Sequence, residues 1–393
     1  MKLVFIGNPL PHKLTDWKQY KTLHASQAGN VAQCDIIDGL VDLDPNLTVI
    51  TRSPNGRWAE LTLDNGVKAI GVSNINVSKP LYYLSIMPGE FTSLRRVVRS
   101  SVGQKIVIVS HNLPPFVGLP IILIKRFYKN VLWVPYLIDP IVYIYKFPLG
   151  LISKLSAKMI KHADALITYV SHSATDYVPN LPFTKVFFTI DSDLLNFYRT
   201  QERAKCSKPT IAYTGALISN YMLEIIIESI RKTGKTYRWV FCGNGEFADQ
   251  LEGLSKDKAN FDVDFYGIVS REKAAQIQSS ADLLLCIRGG KGFEYQSRYA
   301  ASGKSNEYLA SGTPTLCTDV PAIPEEIKAF FTMMRPDDIT ADSLCAELHR
   351  IFEENHYMEL LNLAKRGQEF AFENFTVEKN NTVINRFIQD LVD

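Results

Sequence analysis

Lys304 and Glu307 stand three positions apart in the stretch Ser302-Gly303-Lys304-Ser305-Asn306-Glu307-Tyr308-Leu309-Ala310-Ser311-Gly312-Thr313-Pro314. A helix beginning near Ser305 would end at Gly312, and Pro314 blocks its continuation. Lys304 then sits at the helix N-terminus and Glu307 one turn in, on a shared face. An ammonium beside a helix N-terminus suits a diphosphate. A carboxylate one turn deeper suits the two hydroxyls of a ribose. The same residues also read as a capped helix with a surface Lys–Glu pair, and chemistry alone favours neither. Glycines add weight to the first reading. Gly215, the run Gly243–Asn244–Gly245, Gly267 and the run Arg288–Gly289–Gly290 each follow a short apolar segment. Glycine there lets backbone approach a phosphate closely. Most such glycines only make turns, but four in one half of the chain point to a nucleotide pocket. Arg288, directly after an apolar run, is the basic residue best placed to join Lys304.

In the first half, His111 follows an apolar run ending at Val109, so it is either a ligand-facing residue or a polar turn residue before Pro114–Pro115. Asp139, between Ile138 and Pro140, reads as an acceptor-side carboxylate or a helix cap. Gly7-Asn8-Pro9 could floor an acceptor site or simply turn the chain. Protease, α/β-hydrolase and P-loop chemistry lack their motifs: there is no HExxH, GxSxG or Walker loop.

These residues need elements to position them. Short apolar runs alternate with longer amphipathic ones. Strands are expected at Lys2–Ile6, Thr48–Thr51, Lys105–Val109, Val131–Tyr136 and Ala165–Thr168. A second set is expected at Thr210–Tyr213, Arg238–Phe241, Val263–Tyr266, Leu283–Cys286 and Thr315–Cys317. Helices fall between them, among them Met222–Lys232, Arg271–Ser279 and Ala341–Glu353. This alternation, occurring twice, predicts an α/β protein of two doubly wound, Rossmann-like domains facing a cleft. The boundaries expected are 1–190 for an N-terminal domain, 191–209 for a polar linker, and 210–375 for a second domain that holds the glycines. A C-terminal helix, 376–393, is expected to pack back on the N-domain. In such folds ligands bind beyond the carboxyl ends of the strands, where the glycines, Arg288 and His111 fall.

The chain has 393 residues, 46% of them hydrophobic and 21% charged, which excludes a disordered chain and suggests two or three domains. Net charge is only +2, so bulk charge gives no support to nucleic-acid binding. It is unevenly spread: between Lys79 and Lys161 twelve Lys and Arg face only Glu90 and Asp139. This stretch is interleaved with Leu, Ile, Phe, Tyr and Trp. Such a face suits an anionic membrane surface or a lipid-linked diphosphate, and it also reads as a solvated basic face. The six cysteines form no CxxC pair, and three of them (Cys242, Cys286, Cys317) lie in apolar runs, which fits a reducing compartment. The most apolar stretch, Leu113 to Ile124, is about a dozen residues against the ~20 needed to span a bilayer. The N-terminus reads as a first buried strand rather than a signal peptide. A cytoplasmic protein, peripheral on the inner face of the membrane, is expected.

The segment Lys304-x-x-Glu307-Tyr308-Leu309-Ala310-Ser311-Gly312-Thr313-Pro314 resembles the nucleotide-sugar motif of family 4-type glycosyltransferases of GT-B fold. Tyr213–Thr214–Gly215, Phe241–Cys242–Gly243–Asn244–Gly245, Phe265–Tyr266–Gly267 and Ala281–Asp282–Leu283–Leu284–Leu285 are similar to the family's flanking segments in order and spacing. Upstream, His162 to Thr168 and Ser110 to Pro115 are similar to its N-domain segments. The resemblance implies a GT-B enzyme that moves a sugar from a nucleotide diphosphate, its donor substrate, to a glycan or lipid-linked acceptor held mainly by the N-domain. It implies retention of anomeric configuration, no cofactor, and assembly of surface polysaccharide as the setting. Donor-site residues would be Gly215, Gly243, Asn244, Gly245, Lys304 and Glu307, and catalysis would involve His111, Lys304 and Arg288. Backbone N–H groups near Gly215, Lys304 and the helix N-terminus would stabilise the leaving diphosphate, making a metal ion unnecessary. Asp262-Val-Asp264 and Asp191-Ser-Asp193 match the D-x-D of another glycosyltransferase fold, but they fall at a strand start and in the linker and read as solvated carboxylates. Two departures stand out. Tyr299 occupies the position of the family's first Glu, with Glu294 further upstream, and the family's Arg and Lys after the first glycine loop are missing, leaving Lys304, Arg288 or Arg298 to supply the charge. The alternatives are a catalytically silent nucleotide-sugar-binding scaffold and a GT-B-fold epimerase.

Overall fold

The structure, a computed structural model, describes residues 1–9, 27–53, 56–63, 66–74, 79–138, 149–201, 208–290, 292–300, 302–354 and 356–393. The chain forms two compact units: Met1–Phe187 together with Val377–Asp393, and Phe188–Thr376.

Unit 1 is built on an eight-stranded sheet: β1 (Lys2–Ile6), β2 (Thr48–Arg52), β3 (Ala59–Thr62), β4 (Lys68–Val72), β5 (Ile106–His111), β6 (Val131–Leu137), β7 (Leu166–Thr168) and β8 (Phe183–Lys185). Their order is β3-β4-β2-β1-β5-β6-β7-β8, parallel except for the β3–β4 pair. The parallel strands are near-continuous apolar runs because both sheet faces are covered: Leu3 to Ile6 and Ile106 to Val109 are wholly buried. The β3–β4 hairpin has no counterpart in the sequence reading. Its strand Ala-Glu-Leu-Thr is half-exposed at a sheet edge, so it lacks the apolar run that marks the others. The helix Val377–Val392 lies on the helix Gln27–Leu43. Asn381 and Asn385 donate to the carbonyls of Asp35 (3.1 Å) and Gly39 (2.8 Å), and Asn380 donates to Phe187 (2.6 Å).

Unit 2 holds β9 (Thr210–Thr214), β10 (Arg238–Cys242), β11 (Val263–Phe265), β12 (Leu283–Cys286), β13 (Thr315–Thr318) and β14 (Thr332–Met334). All are parallel, in the order β11-β10-β9-β12-β13-β14. Its core gathers Ile211, Tyr213, Trp239, Phe241, Leu283 and Leu285 from the strands with Ile226, Ile230, Leu344 and Leu348 from the helices. The polar stretch read as a linker contains a helix, Ser192–Thr200. Asp191 caps it by accepting from the Leu194 N–H at 2.8 Å, and Leu194, Leu195 and Tyr198 are buried. Three inward-facing side chains among polar ones were enough to fold it onto unit 2.

Candidate functional site

In unit 2 the strand order reverses between β9 and β12, and a crevice at that switch point is where doubly wound sheets take ligands. Gly215 follows β9, and Arg288 lies just beyond β12. The helix Gly303–Ala310 points its N-terminus to the same place, and Ser302 makes no side-chain cap to it. Its first N–H groups are therefore left for another acceptor. Lys304 extends from that first turn across Gly215, where an added Cβ would lie 2.9 Å from Lys304 Cε and 3.0 Å from Nζ. Its ammonium sits over the rings of Tyr213 (3.8 Å to the centroid) and Tyr221 (4.3 Å). It is buried and has no hydrogen-bond partner. Burial pushes its pKa down to about 7, and nearby Arg288 pushes the same way against the Cys286 thiol. Arg288 is itself only 4% exposed. Its Nη2 donates to the Ala300 carbonyl at 3.3 Å and its guanidinium lies 5.2 Å from the Phe293 ring centre, while Nε and Nη1 are buried without partners. Two buried basic groups with unused N–H groups, within electrostatic reach of each other, could accept an anion.

Glu307 lies one turn along the same helix. Burial raises its pKa, while Arg271, whose Nη2 is 3.5 Å from Glu307 Oε1, opposes this together with the Gln278 amide. Gln278 Nε2 donates to Thr214 Oγ1 at 2.9 Å, and Tyr198 OH donates to Gln278 Oε1. Tyr308 points inward: its hydroxyl accepts from the Thr214 N–H at 2.9 Å, tying the helix to the end of β9. The glycines act differently from the sequence expectation. The Gly215 N–H donates to the Cys242 carbonyl (2.9 Å), the Gly243 N–H to Gly267 (2.7 Å) and the Gly245 N–H to the Asn244 side chain (2.9 Å). None of these amides is left for a phosphate. Gly243 has φ +140°, and a Cβ there would overlap the Gly215 carbonyl oxygen, so this glycine lets two strand ends pack against each other.

In unit 1 the corresponding reversal lies between β1 and β5. His111 is the last residue of β5, not a turn residue, and its Nε2 is buried without a partner. Burial, with Arg52 nearby, lowers its pKa to about 3, so it is neutral at neutral pH. Glu90, 1% exposed, is held by burial at about 8 against the pull of Arg52. Arg52 lies over the Phe116 ring at 4.8 Å. Sequence reading missed Arg52, which acts electrostatically on both His111 and Glu90, because the three come from β2, β5 and the helix Lys79–Ser100. Asp139 lies outside the described residues.

Residues 208–354 match the family described as Glycosyl transferases group 1. That stretch is a glycosyltransferase group 1 domain, and the chain as a whole has the two-domain GT-B fold. Its fold is similar to sucrose-phosphate synthase from Thermosynechococcus elongatus, at TM-score 0.66 and 13% identity over 100% of this chain and 99% of that one. It is similar to Anabaena HepE in complex with UDP, at TM-score 0.64 and 13% identity over 99% and 100%. It is also similar to the α,α-trehalose 6-phosphate synthase of Burkholderia multivorans, at TM-score 0.65 and 10% identity over 99% and 96%. A search of curated proteins finds no match.

The remaining residues singled out in the sequence fall as follows. Tyr299 stacks near Tyr295, with ring centres 4.7 Å apart, and Arg298 lies 5.8 Å from the Tyr299 ring. Glu294 accepts from the Gly292 N–H at 3.2 Å at the start of the helix Glu294–Tyr299. Three of the four D-x-D carboxylates are ion-paired rather than merely solvated: Asp262 with Lys208, Asp264 with Arg238 and Lys258, and Asp191 with Arg271. Among the described residues no three His, Cys, Asp or Glu side chains group as a metal site. Arg271, Gln278, Tyr213 and Tyr221 were missed by the sequence reading. Each acts on Lys304 or Glu307 from another element, which spacing along the chain does not reveal.

Proposed function

We propose that this glycosyltransferase transfers a sugar from a nucleoside diphosphate to a glycan or lipid-linked acceptor, with retention. The observation that carries the donor half is the pair Lys304 and Arg288, buried cations with unused N–H groups beside an uncapped helix N-terminus. A diphosphate supplies the missing acceptors, and its charge grows as the sugar departs, so both cations act on the leaving group. Glu307 accepts from the ribose hydroxyls. The solved relatives support this donor class: HepE is described in complex with UDP and with UDP-glucose, and a trehalose-6-phosphate synthase is described as transferring with retention. With cationic groups at the leaving diphosphate, transfer needs no metal ion. No cofactor beyond the nucleotide-sugar substrate is invoked.

Unit 1 is taken as the acceptor-binding unit, with His111 near the transferred sugar. Its exposed basic residues Arg95, Arg96, Arg126, Lys129, Lys154, Lys158 and Lys161 lie among exposed Leu123, Phe127 and Leu155. Phe127 is 71% exposed. This face suits anionic lipid headgroups, which supports the reading of peripheral attachment to the cytoplasmic leaflet during surface polysaccharide assembly. Some of the stretch's basic residues are engaged within the chain: Lys125 pairs with Asp164, Lys105 reaches the Val392 carbonyl and Arg99 Nε donates to the Tyr128 hydroxyl at 3.3 Å. Among the described residues no helix is long and apolar enough to cross a membrane.

The test is release of nucleoside diphosphate from a panel of nucleotide sugars, with and without sugar, sugar-phosphate and lipid-diphosphate acceptors, in the presence of chelator. Acceptor-dependent release supports transfer. Binding without turnover for any pair would favour the second reading, a silent nucleotide-sugar scaffold, which Tyr299 in place of the first Glu favours. Activity lost in chelator and restored by manganese or magnesium would refute the metal-free step.

A further inference from the structure

The helix Arg271–Ser280 presents Arg271 and Gln278, two turns apart on one face, to Glu307. Arg271 bridges two carboxylates: Nη1 pairs with Asp191 and Nη2 lies 3.5 Å from Glu307 Oε1. Asp191 is fixed in turn, because it caps the helix Ser192–Thr200 through the Leu194 N–H at 2.8 Å. Arg271 itself starts behind a capped turn, in which Ser270 accepts from the Lys273 N–H at 3.2 Å. The guanidinium is thus anchored at both ends of its reach, while half exposed.

We propose that Arg271 is a positioning residue for nucleotide recognition: anchored on Asp191, it keeps the Glu307 carboxylate ionised and aimed so that both oxygens accept from the 2′- and 3′-hydroxyls of the donor ribose. This rests on the reading of Glu307 as the ribose anchor. A carboxylate can accept from two hydroxyls only when deprotonated; protonated, one oxygen becomes a donor. The groups facing Glu307 divide clearly. Burial, Asp191 and the adjacent Tyr198 hydroxyl disfavour its charge or are disfavoured by it, while Arg271 and the Gln278 amide favour it. Arg271 is the cation in contact with it, while Lys304, one turn away on the same helix, acts on it at longer range. Removing it leaves a buried carboxyl with a higher pKa and a free rotamer.

The experiment compares UDP with 2′,3′-dideoxy-UDP by calorimetry, from pH 5 to 8, on the full chain. The diphosphate titrates alike in both ligands, so the ratio of affinities reports the ribose contact alone. Wild type is expected to prefer UDP by at least about tenfold at pH 7, losing that preference as pH falls and Glu307 protonates. In Arg271→Ala the preference should shrink severalfold, and its acid limb should move to higher pH. Arg271→Lys should restore part of both. Glu307→Ala should abolish the preference, and adding Arg271→Ala to it should cost nothing further, since the two act as one unit. Folding is checked by thermal melting of each variant. If Glu307→Ala removes the preference but Arg271→Ala keeps both the ratio and its pH limb, Arg271 is only a surface ion pair and the inference is overturned. If Glu307→Ala leaves the preference intact, or wild type shows none, the ribose assignment itself fails and takes the inference with it.

Discussion

Binding of a diphosphate to unit 2 should draw a proton onto the protein, and Lys304 should be where it goes. In the free protein the ammonium lies against two tyrosine rings, beside Arg288 and without a hydrogen-bond partner, and burial holds its pKa at about 7. At pH 8 such a site carries only ~0.1 proton, so most molecules hold a neutral amine. A bound diphosphate brings two negative groups into contact and returns the pKa toward its ordinary value of 10.5. The difference is an uptake of about 0.9 proton per nucleotide at pH 8, falling to about 0.1 at pH 6, where Lys304 is already charged. Calorimetric titration of UDP in buffers of different ionisation enthalpy measures this number. Subtracting the same titration of Lys304→Met removes protons exchanged by the nucleotide itself. Cys286 is the other titratable group close by, its thiol pulled down by the Cys317 contact, so Cys286→Ala should keep the uptake. Equal uptake in wild type and Lys304→Met at pH 8 would refute the placement of Lys304 at the diphosphate.

Stability offers further checks. Glu90, held at about 8 in the folded chain, binds more protons there than when unfolded, so its contribution is present at pH 5 and lost as pH rises through 8. Glu90→Gln should therefore raise the melting temperature at pH 8 relative to wild type and do so much less at pH 5. His111, held near 3, binds fewer protons folded than unfolded, so stability should fall as pH drops from about 6.5 toward 3, and His111→Gln should flatten that limb of a melting-temperature profile. Tyr308→Phe leaves the buried Thr214 N–H without its partner, and urea unfolding should show a loss of about 1–3 kcal/mol. Replacing Lys154, Lys158 and Lys161 with Glu should release the protein from anionic vesicles at low salt with nucleotide affinity unchanged. Wild type that ignores such vesicles would point instead to a soluble acceptor.

What the sequence made legible was mostly local. Ten of the fourteen described strands announced themselves as apolar runs, because parallel strands buried on both faces carry no alternation to mask them; β3, β4, β8 and β14, at or next to sheet edges, did not. The helix Gly303–Ala310 was visible from its stop signals, Gly312 and Pro314, and with it the shared face of Lys304 and Glu307. What stayed hidden depends on contacts between distant segments. The aromatic cradle of Lys304 comes from Tyr213 and Tyr221, and the clamp on Glu307 from Arg271 and Gln278. Glycine spacing was misleading in one respect: at Gly215 and Gly243 it reflects strand ends packed backbone to backbone, with their N–H groups consumed by that packing. In the proposed site Arg288 takes the place of the family's basic residue after Gly215, since the switch point brings the ends of β9 and β12 together.

The anion site formed by Lys304 and Arg288 is tested most directly by comparing the affinity of UDP with that of uridine in wild type and in Lys304→Met/Arg288→Met. Wild type is expected to bind UDP at least about a hundredfold more tightly than uridine, because each charge-assisted hydrogen bond is worth roughly 1.5–3 kcal/mol. The double variant should retain uridine binding and lose most of that difference. UDP preference undiminished in a folded double variant would contradict the assignment of the diphosphate to these two residues.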